Sequence, residues 1–299
     1  MAEQIASVSD EIDLCFETFG EPGDPAMLLV MGLGTQMLGW PDAFCEQLAA
    51  RGRFVIRYDN RDVGRSTHFA GQRPPTVKQL LTRSRTCAVY SLADMAQDGM
   101  DLLDHLQIPR AHVVGVSMGG MIAQTMAARH PRRVLSLASL MSNTGHYWRG
   151  MPGLRAYPIF LRRPAGDLAA AIDSVVATFR TIGSPDYPFD EDEIRDIAVR
   201  SYERGYDPAG AGRQLAAILA AGDRTRELAA ITAPTLVVHG TRDVMVTPSG
   251  GRATARAIRG SRLVLIDGMG HDLPRELWGR LIDLVEENAA RARPQHAAA

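Results

Sequence analysis

A serine between glycines is the residue of this chain best placed for covalent chemistry. Ser117 lies in the segment Gly115–Gly120 (GVSMGG), which matches the pattern Gly-x-Ser-x-Gly. The apolar run Ala111–Val116 precedes it and a helix-like pattern, Gly119–Arg129, follows it. This context predicts a tight strand–turn–helix that exposes the serine hydroxyl at the carboxyl end of a sheet. The positive end of the helix would then face any negative charge that develops there. The alternative interpretation is a glycine-rich turn with a buried serine.

A serine hydroxyl is a weak nucleophile and needs a base that an acid holds in place. His271 is the candidate base, because it follows the apolar run Arg262–Ile266. Asp243 is the candidate acid and follows the apolar run Thr235–His239. Both loops come at carboxyl ends of strands, on the edge of the sheet where Ser117 is expected. We expect His271 to take the Ser117 proton and return it to the leaving group, while Asp243 orients the imidazole and stabilises its charged form.

Other titratable side chains fit these two roles less well. Asp267 and Asp272 are too close in sequence to His271 to approach its far nitrogen easily. The segment Ser142–Thr144, where some α/β proteins carry the acid, has no carboxylate. His239 ends a strand beside Asp243 and is interpreted as a structural neighbour. The remaining histidines lie in a strand, near helix ends, on loops or in the tail: His112, His105, His130, His68, His146 and His296.

Two backbone N–H groups are candidates for holding a developing oxyanion. One belongs to Met118, directly after the serine, and the other to Leu33, in the glycine-containing loop that follows the run Ala26–Met31. Asp59 and Arg61 lie beyond the next strand-like run and could in principle take part in catalysis. We interpret both as hydrogen-bond partners of the loop beside the site.

The substrate pocket is predicted from side chains on or next to these loops. Methionines fill irregular apolar space, and together with aromatic side chains they favour an apolar acyl ester or an aromatic ester. Met37 and Met121 could equally be core residues. The predicted lining comprises Met37, Met121, His146, Tyr147, Trp148 and Met269.

Alternating strand-like and helix-like segments must position these residues. Such alternation predicts an α/β fold, with a mostly parallel sheet and helices on both faces. Ile12–Phe19 alternates polar and apolar residues and is expected to form an antiparallel edge strand paired with Gln4–Val8. The strand-like runs are Ala26–Met31, Phe54–Tyr58, Ala111–Val116, Val134–Met141, Thr235–His239 and Arg262–Ile266, and the helical patterns between them are Asp42–Ala50, Leu92–Leu106, Gly119–Arg129, Ser249–Arg259 and Arg275–Ala290.

One long stretch interrupts this alternation. Residues 142–230 contain no strand-like run and are too long for an ordinary connection, which predicts an inserted helical cap. The α/β core would then comprise residues 1–141 and 231–299. Helices are expected in the cap over Asp167–Thr181, Asp190–Arg204 and Ala209–Ala221. The tail Ala289–Ala299 is expected to fray.

Composition excludes several other classes of protein. The 299 residues include 33 basic and 34 acidic side chains, and this balance argues against a nucleic-acid binder. Cys15, Cys45 and Cys87 are widely spaced, so neither a disulfide framework nor a zinc site is expected. No apolar run is long enough for a membrane span. The first residues lack the pattern of a signal peptide, so a cytoplasmic location is expected. A monomer and a homodimer both stay open.

These motifs together resemble the α/β-hydrolase fold family over nearly the whole chain. The segments MGLGTQMLGW, RYDNRDVGRS, GVSMGGMIAQ, GSPDYP, PSGGRATARAI and DGMGHDLP are similar to the mycobacterial lipase/esterase G group and, more distantly, to anthracycline methylesterases. The resemblance implies a Ser117–Asp243–His271 triad, no cofactor or metal, and hydrolysis of carboxylic esters of small molecules. Many members carry His-Gly where this chain has Met31-Gly32. The similar relatives share the methionine, so this departure is not interpreted as a loss of activity.

Other activities on the same fold stay open at this stage. A serine triad also serves thioesterases, cofactor-free perhydrolases and hydrolases of C–C bonds. A dehalogenase or an epoxide hydrolase is disfavoured, because the turn carries Ser117 instead of an aspartate. From a different class, the chain could be a ligand receptor that retains a weak triad.

Overall fold

An eight-stranded sheet forms the centre of the protein. The computed structural model describes residues 2–292 apart from 73–74, 77–78, 80–81, 83–86, 161 and 163. The strands are β1 Gln4–Ser7, β2 Asp13–Phe19, β3 Ala26–Val30, β4 Phe54–Tyr58, β5 Ala111–Val116, β6 Val134–Leu140, β7 Thr235–Gly240 and β8 Arg262–Ile266. Their order across the sheet is β1-β2-β4-β3-β5-β6-β7-β8. The six neighbouring strands β4, β3, β5, β6, β7 and β8 run parallel to one another, while β1 and β2 pair antiparallel. This arrangement confirms the predicted fold class.

The sequence assigned the edge of the sheet to the wrong strand. The predicted antiparallel pairing is present, with Gln4 opposite Phe16 and Ser7 opposite Asp13. However, β2 also pairs with β4, so that β1 is the edge strand and β2 is interior. Side chains on both faces of β2 are accordingly buried. Alternation in a short sequence cannot show this second pairing, because β4 lies about forty residues further along the chain.

Helices cover both faces of the sheet. They are α1 Asp42–Ala49, α2 Leu92–His105, α3 Met118–Arg129, α4 Tyr157–Phe160, α5 Leu168–Ile182, α6 Glu191–Arg204, α7 Pro208–Ala221, α8 Thr225–Leu228, α9 Ser249–Ala257 and α10 Trp278–Ala290. Successive side chains of β3 point to opposite faces of the sheet. Leu28 packs with α2 and α3 on one face, whereas Leu29 packs with α1 and α10 on the other. None of the helices in the described part of the chain is long and apolar enough to cross a membrane.

Local sequence signals explain where several helices begin. Ser91 and Asp94 form a reciprocal capping box at the start of α2. The side chains of Asp167, Asp190 and Asp207 accept backbone N–H groups at the starts of α5, α6 and α7. These caps are short polar side chains that satisfy otherwise unpaired N–H groups, and they could be found from sequence alone.

Residues 141–234, here named the inter-strand segment, connect β6 to β7 and carry α4 to α8. The described part of this segment contains no strand. Buried ion pairs attach it to the loop after β4: Arg204 lies 2.7 Å from Asp59, and Arg213 lies 2.7 Å from Asp62. Its status as a separate cap, with the predicted limits 142–230, stays a proposal.

The chain end differs in part from its prediction. Ala289 and Ala290, which were assigned to a frayed tail, form the last turn of α10. Residues 293–299, including His296, lie outside the described residues. Ala289 is buried, as is Val285 one turn earlier, so this end of the helix belongs to the packed interior.

Replacement of Leu28 by alanine tests the central position of β3. Leu28 is completely buried between α2, α3 and the sheet. We expect Leu28→Ala to lower the free energy of unfolding by about 2–5 kcal/mol, because it removes apolar contacts and leaves a cavity. Urea denaturation followed by circular dichroism measures this loss.

The matched control is Ile5→Ala on β1. Ile5 is also an aliphatic strand residue but is 54% exposed. Its replacement is expected to change the unfolding free energy by about 0.5 kcal/mol or less. Equal losses for both variants would contradict the assignment of β3 to the centre of the core.

Candidate active site

Ser117 occupies a strained turn between β5 and α3. Its φ is +56°, in the left-handed region that residues with a side chain rarely adopt. The turn is fixed by its backbone: the Ser117 N–H donates to the Leu140 carbonyl at 2.9 Å. Gly119 is required for close packing, since a Cβ there would lie 2.1 Å from the carbonyl oxygen of Val30. Strain of this kind persists where surrounding contacts over-determine the conformation, and it is concentrated at functional sites.

Three side chains from separate loops form a continuous line of hydrogen bonds. Nε2 of His271 lies 3.0 Å from Oγ of Ser117. Nδ1 of the same imidazole lies 2.8 Å from Oδ2 of Asp243. Ser117 follows β5, Asp243 follows β7 and His271 follows β8, so the carboxyl edge of the parallel sheet brings them together. The structure thus places next to one another the side chains that the sequence predicts as nucleophile, acid and base.

The environment of Asp243 keeps its carboxyl group ionised. Oδ1 accepts the backbone N–H groups of Met245 at 2.9 Å and Val246 at 2.8 Å. Burial favours the neutral form, but the electrostatic interaction with His271 and hydrogen bonds from His239 and His271 outweigh it and lower the pKa to about 2. An ionised carboxylate can only accept, so the proton of the imidazole lies on Nδ1. Nε2 is therefore left to accept the hydroxyl proton of Ser117.

A second histidine contacts Asp243. Nε2 of the fully buried His239 lies 2.6 Å from the Val246 carbonyl oxygen and 3.3 Å from Oδ2 of Asp243. Since a carbonyl oxygen only accepts, Nε2 carries the proton. Nδ1 of His239 has no hydrogen-bond partner among the described residues. His239 is thus a structural neighbour of the acid, and it reaches the carboxylate directly, which the sequence did not predict.

The backbone N–H groups of Leu33 and Met118 have no hydrogen-bond acceptor among the described residues. Met118 begins α3, where the helix itself supplies no acceptor for the first N–H groups. No hydrogen bond from the Leu33 N–H is found within the described residues. The loop around Leu33 is held by three contacts, from Asn60 Nδ2 to the Met31 carbonyl (2.9 Å), from the Gly34 N–H to Gln214 Oε1 (2.8 Å) and from the Met37 N–H to Asp59 Oδ1 (2.7 Å).

Asp59 forms the predicted hydrogen bonds to the loop beside the site, whereas the side chain of Arg61 does not. Asp59 accepts the backbone N–H groups of Met37 and Arg65, as expected of a residue that holds the loop. For Arg61 the prediction was wrong, because its guanidinium forms two bonds of 2.6 Å to Asp98 of α2. Asp98 lies 37 residues further along the chain, too far for a local pattern to show this pairing.

The side chains predicted to line the pocket differ in their exposure, and their role in binding a substrate stays a prediction. Met37 and Met269 have no accessible surface, and Met121 is buried in the apolar core, so these are core methionines. Tyr147 and Trp148 lie at the surface, 54% and 77% exposed, with their rings packed edge to face. His146 is half-buried, and its Nδ1 accepts the Trp148 N–H at 3.1 Å. Proximity in sequence to a site loop does not decide which way a side chain points.

Asp62, His68 and Asp207 bring possible metal-ligand atoms within 4.8 Å of one another. Arg213 already occupies both carboxylates, at 2.7 Å from Asp62 and 2.7 Å from Asp207. His68 Nδ1 lies 3.0 Å from Asp207, and its Nε2 lies 3.0 Å from the Gly64 carbonyl oxygen. A cation at this position would have to displace the guanidinium, so the cluster fits an ion-pair network better than a metal site.

The inter-strand segment supplies contacts to the site that sequence reasoning missed. Gln214 of α7 accepts the Gly34 N–H, and Ser184, directly after α5, accepts the Gly270 N–H at 2.8 Å. These partners are separated by 180 and 86 residues. The motif GSPDYP contains Ser184 and was the single signal in the sequence, but it indicated no role for that hydroxyl.

Comparison with known proteins agrees with this architecture. Residues 25–274 match the family model described as the alpha/beta hydrolase fold. The chain is 31% identical to a rhodomycin D methylesterase of Streptomyces sp. (strain C5), over 89% of this chain and 91% of that protein. It is 26% identical to 3-oxoadipate enol-lactonase 2 of Acinetobacter baylyi, over 87% of this chain and 86% of that protein. The enol-lactonase structure from Burkholderia xenovorans LB400 superposes with a TM-score of 0.73 at 28% identity, covering 96% of this chain and 100% of that chain.

These similarities confirm the predicted resemblance to anthracycline methylesterases and support hydrolase activity. The resemblance to the mycobacterial lipase/esterase G group stays a prediction. The family model spans well over half of the chain and includes the loops of Ser117, Asp243 and His271. The chain therefore belongs to the α/β-hydrolase fold family.

Proposed function

We propose that this protein hydrolyses carboxylic esters with Ser117 as nucleophile, His271 as general base and acid, and Asp243 as the orienting carboxylate. The observation that carries the proposal is the line of hydrogen bonds from Ser117 Oγ through the His271 imidazole to Asp243, at 3.0 Å and 2.8 Å. Relatives named as a methylesterase and an enol-lactonase support ester chemistry, since a lactone is a cyclic ester.

The first half of the reaction forms an acyl-enzyme. Ser117 Oγ attacks the ester carbonyl carbon while its proton passes to Nε2 of His271. The carbonyl oxygen becomes an oxyanion, which the N–H groups of Leu33 and Met118 stabilise. When the tetrahedral intermediate collapses, the C–O bond to the alcohol breaks and the alcohol takes the proton from Nε2. The ionised Asp243 stabilises the imidazolium between these two transfers.

The second half releases the acid. Water gives a proton to Nε2 of His271 and attacks the acyl carbon, which again places charge on the oxyanion. Collapse of this intermediate breaks the bond to Ser117 Oγ, and the proton returns from His271 to the serine. Every proton transfer uses the same imidazole nitrogen, which the Nδ1 bond to Asp243 keeps in the required tautomer. The cycle requires no cofactor or metal.

The substrate class proposed is an uncharged ester with an apolar acyl group or an aromatic group. The inter-strand segment is proposed to act as the cap over this site, because it contacts both the Leu33 loop and the His271 loop. The ionised carboxylate of Asp243 lies 2.8 Å from Nδ1 of His271 and disfavours a further anionic group close to the imidazole.

A substrate panel tests this class. We expect p-nitrophenyl butyrate and hexanoate to be cleaved with a higher kcat/KM than a p-nitrophenyl hemisuccinate, because the free carboxylate of the hemisuccinate is repelled. Methyl esters, a lactone, a thioester and a C–C hydrolase substrate in the same panel separate ester hydrolysis from its alternatives. Faster turnover of the hemisuccinate contradicts the proposed substrate class, and tight binding without repeated turnover favours a receptor.

Removal of the Ser117 hydroxyl tests the nucleophile. We expect Ser117→Ala to lower kcat for p-nitrophenyl butyrate by at least about a thousandfold, because no acyl-enzyme can form. A fluorophosphonate probe should label the wild-type protein at Ser117, as located by mass spectrometry, and should fail to label the variant.

The matched control is Ser142→Ala. Ser142 is a buried serine at the end of the neighbouring strand, and its hydroxyl has no hydrogen-bond partner among the described residues. Its removal is expected to leave kcat within about twofold, since it breaks no recorded contact. Wild-type turnover in Ser117→Ala would refute the assignment.

Neutralisation of Asp243 tests the acid. We expect Asp243→Asn to lower kcat by about 10³–10⁴-fold, because the amide no longer stabilises the imidazolium or fixes the tautomer. Asp267→Asn is the control, since Asp267 lies in the neighbouring loop and its carboxylate accepts only from Thr241 Oγ1 in the described structure. Equal activity of both variants would point to another acid.

Asp243→Asn should also change how the free energy of unfolding depends on pH. Asp243 titrates at a lower pKa in the folded protein, about 2 compared with its usual 3.8. Its ionisation therefore stabilises the fold above the unfolded pKa, and this contribution disappears as the pH falls through the folded pKa. The difference in unfolding free energy between wild type and Asp243→Asn should include a contribution on the order of 2 kcal/mol at pH 6 that declines towards pH 2.

A further inference from the structure

The backbone of the His271 loop is held by the inter-strand segment. The His271 N–H donates to the Ile182 carbonyl, in the last turn of α5, at 2.7 Å. The Gly270 N–H donates to Ser184 Oγ, two residues beyond α5, at 2.8 Å. Both acceptors belong to the same short stretch of chain. The position of the imidazole therefore depends on where the end of α5 lies.

Ser184 is in turn fixed by the residue after the histidine. Its Oγ–H donates to Oδ1 of Asp272, and its backbone N–H donates to Oδ2 at 3.2 Å. Burial raises the pKa of Asp272, although the bonds from Ser184 oppose this effect. One hydroxyl thus accepts from Gly270 and donates to Asp272, so it contacts the loop on both sides of His271.

The two backbones also leave no space between them. A Cβ at Gly270 would lie 2.3 Å from the carbonyl oxygen of Gly183. Tyr187 adds a contact further along, where its hydroxyl donates to the Asp267 carbonyl at 3.1 Å. The turn Gly183–Tyr187, which comprises the first five residues of the GSPDYP motif, therefore follows the loop after β8 closely over several residues.

The loop of Leu33 is held by the same segment at a second point. Oε1 of Gln214, a fully buried residue of α7, accepts the N–H of Gly34 at 2.8 Å. Nε2 of Gln214 donates to the Arg61 carbonyl at 2.7 Å, which fixes the orientation of the amide. The side chain thereby bridges the residue next to Leu33 and the loop after β4.

The nucleophile and the acid are held differently. Ser117 is bonded through its N–H to Leu140 of β6, and the Asp243 carboxylate is bonded to the N–H groups of Met245 and Val246. These contacts lie within the α/β core and its own loops. The backbone of His271 and the loop of Leu33 are thus bonded directly to the inter-strand segment. The segment reaches the Asp243 loop only one residue further on, where the Gly153 N–H donates to the Val244 carbonyl at 2.8 Å.

We propose that Ser184 and Gln214 are positioning residues through which the inter-strand segment aligns His271 and the Leu33 N–H with Ser117. This inference rests on the proposed function. A displacement of about 1 Å at a reacting group can cost about a hundredfold in rate. A displacement of α5 or α7 would therefore also displace the His271 loop or the Leu33 loop to which it is bonded.

Replacement of the Ser184 hydroxyl tests the contact to the base. We expect Ser184→Ala to lower kcat for p-nitrophenyl butyrate about 10–100-fold with KM changed less than about threefold, because the imidazole is misplaced while the binding surface is kept. Labelling of Ser117 by the fluorophosphonate should slow in parallel. The downfield proton signal of the His271 Nδ1–H, assigned by its loss in His271→Gln, should shift or broaden. Ser184→Thr, which keeps a hydroxyl, should recover most of the activity.

The control is a serine that makes the same kind of contact elsewhere. Ser249 Oγ accepts the N–H of Gly150, also between the segment and the core, at 2.9 Å. Ser249→Ala is expected to leave kcat within about twofold and the imidazole signal unchanged. Thermal unfolding of both alanine variants shows whether their stabilities are comparable, so that a general loss of stability is separated from loss of alignment.

Gln214 gives a second, independent readout. Gln214→Glu keeps an acceptor for the Gly34 N–H, whereas Gln214→Met removes it at similar volume. We expect Gln214→Met to lower kcat more than Gln214→Glu, because the Leu33 N–H shifts, while the imidazole signal of His271 stays at its wild-type position. A changed imidazole signal in Gln214→Met would show that the two contacts are not separate.

The outcomes distinguish this inference from the proposed function. Wild-type kcat and an unchanged imidazole signal in Ser184→Ala, with Ser117→Ala inactive, overturn the positioning role and leave the proposed function intact. Full activity of Ser117→Ala overturns the proposed function, and the imidazole signal of Ser184→Ala then still shows whether the hydroxyl aligns His271. Equal losses in Ser184→Ala and Ser249→Ala also overturn the inference, because they show a general effect of loosening the segment.

Discussion

The imidazole of His271 joins groups that are 154 and 28 residues away in the chain, and the rest of the structure is arranged to keep both bonds short. One ring nitrogen must face a hydroxyl and the other a carboxylate. Both conditions depend on loops that leave three different strands. A parallel sheet meets this requirement because all of its strands present their carboxyl ends at one edge. The helices on both faces then fix the strands, and so fix the origins of the loops.

Holding these groups has a physical cost, which the surrounding contacts offset. Ser117 has a backbone conformation that is unfavourable for a residue with a side chain, and Asp243 is a buried charge. The turn is stabilised by its bond to β6 and by the close approach of Gly119 to β3. The carboxylate is stabilised by two backbone N–H groups and two imidazoles. Ser117 and Asp243 are therefore held in fixed positions by contacts within the protein itself.

Two parts of the structure, the sheet and the inter-strand segment, position the residues of the site. The sheet determines where Ser117 and Asp243 lie, whereas the inter-strand segment contacts the backbone of His271 and the loop of Leu33. Arg204 and Arg213 connect the same segment to Asp59 and Asp62 through buried ion pairs. Such pairs are costly to break singly, because each leaves an uncompensated charge. These ion pairs fix the position of the inter-strand segment on the α/β core, in addition to any role that the segment has in covering a substrate.

Much of this protein was determined by its sequence alone. Buried strands appear as apolar runs, helix starts as capping side chains such as Ser91 and Asp207, and the nucleophile turn as glycines around Ser117. These signals are local, because they depend on neighbours a few residues apart. Their positions directly after strand-like runs then singled out Asp243 and His271 as partners of Ser117, and the structure places them in contact.

Only the tertiary structure decided where the remaining side chains point. The methionines Met37 and Met269 entered the core, Tyr147 and Trp148 remained at the surface, and Arg61 turned to Asp98. The interior place of β2 and the contacts of Ser184 and Gln214 likewise join segments far apart in the chain. A residue type fixes what chemistry a side chain can do, but direction and partners follow from packing against distant segments, which no local pattern encodes.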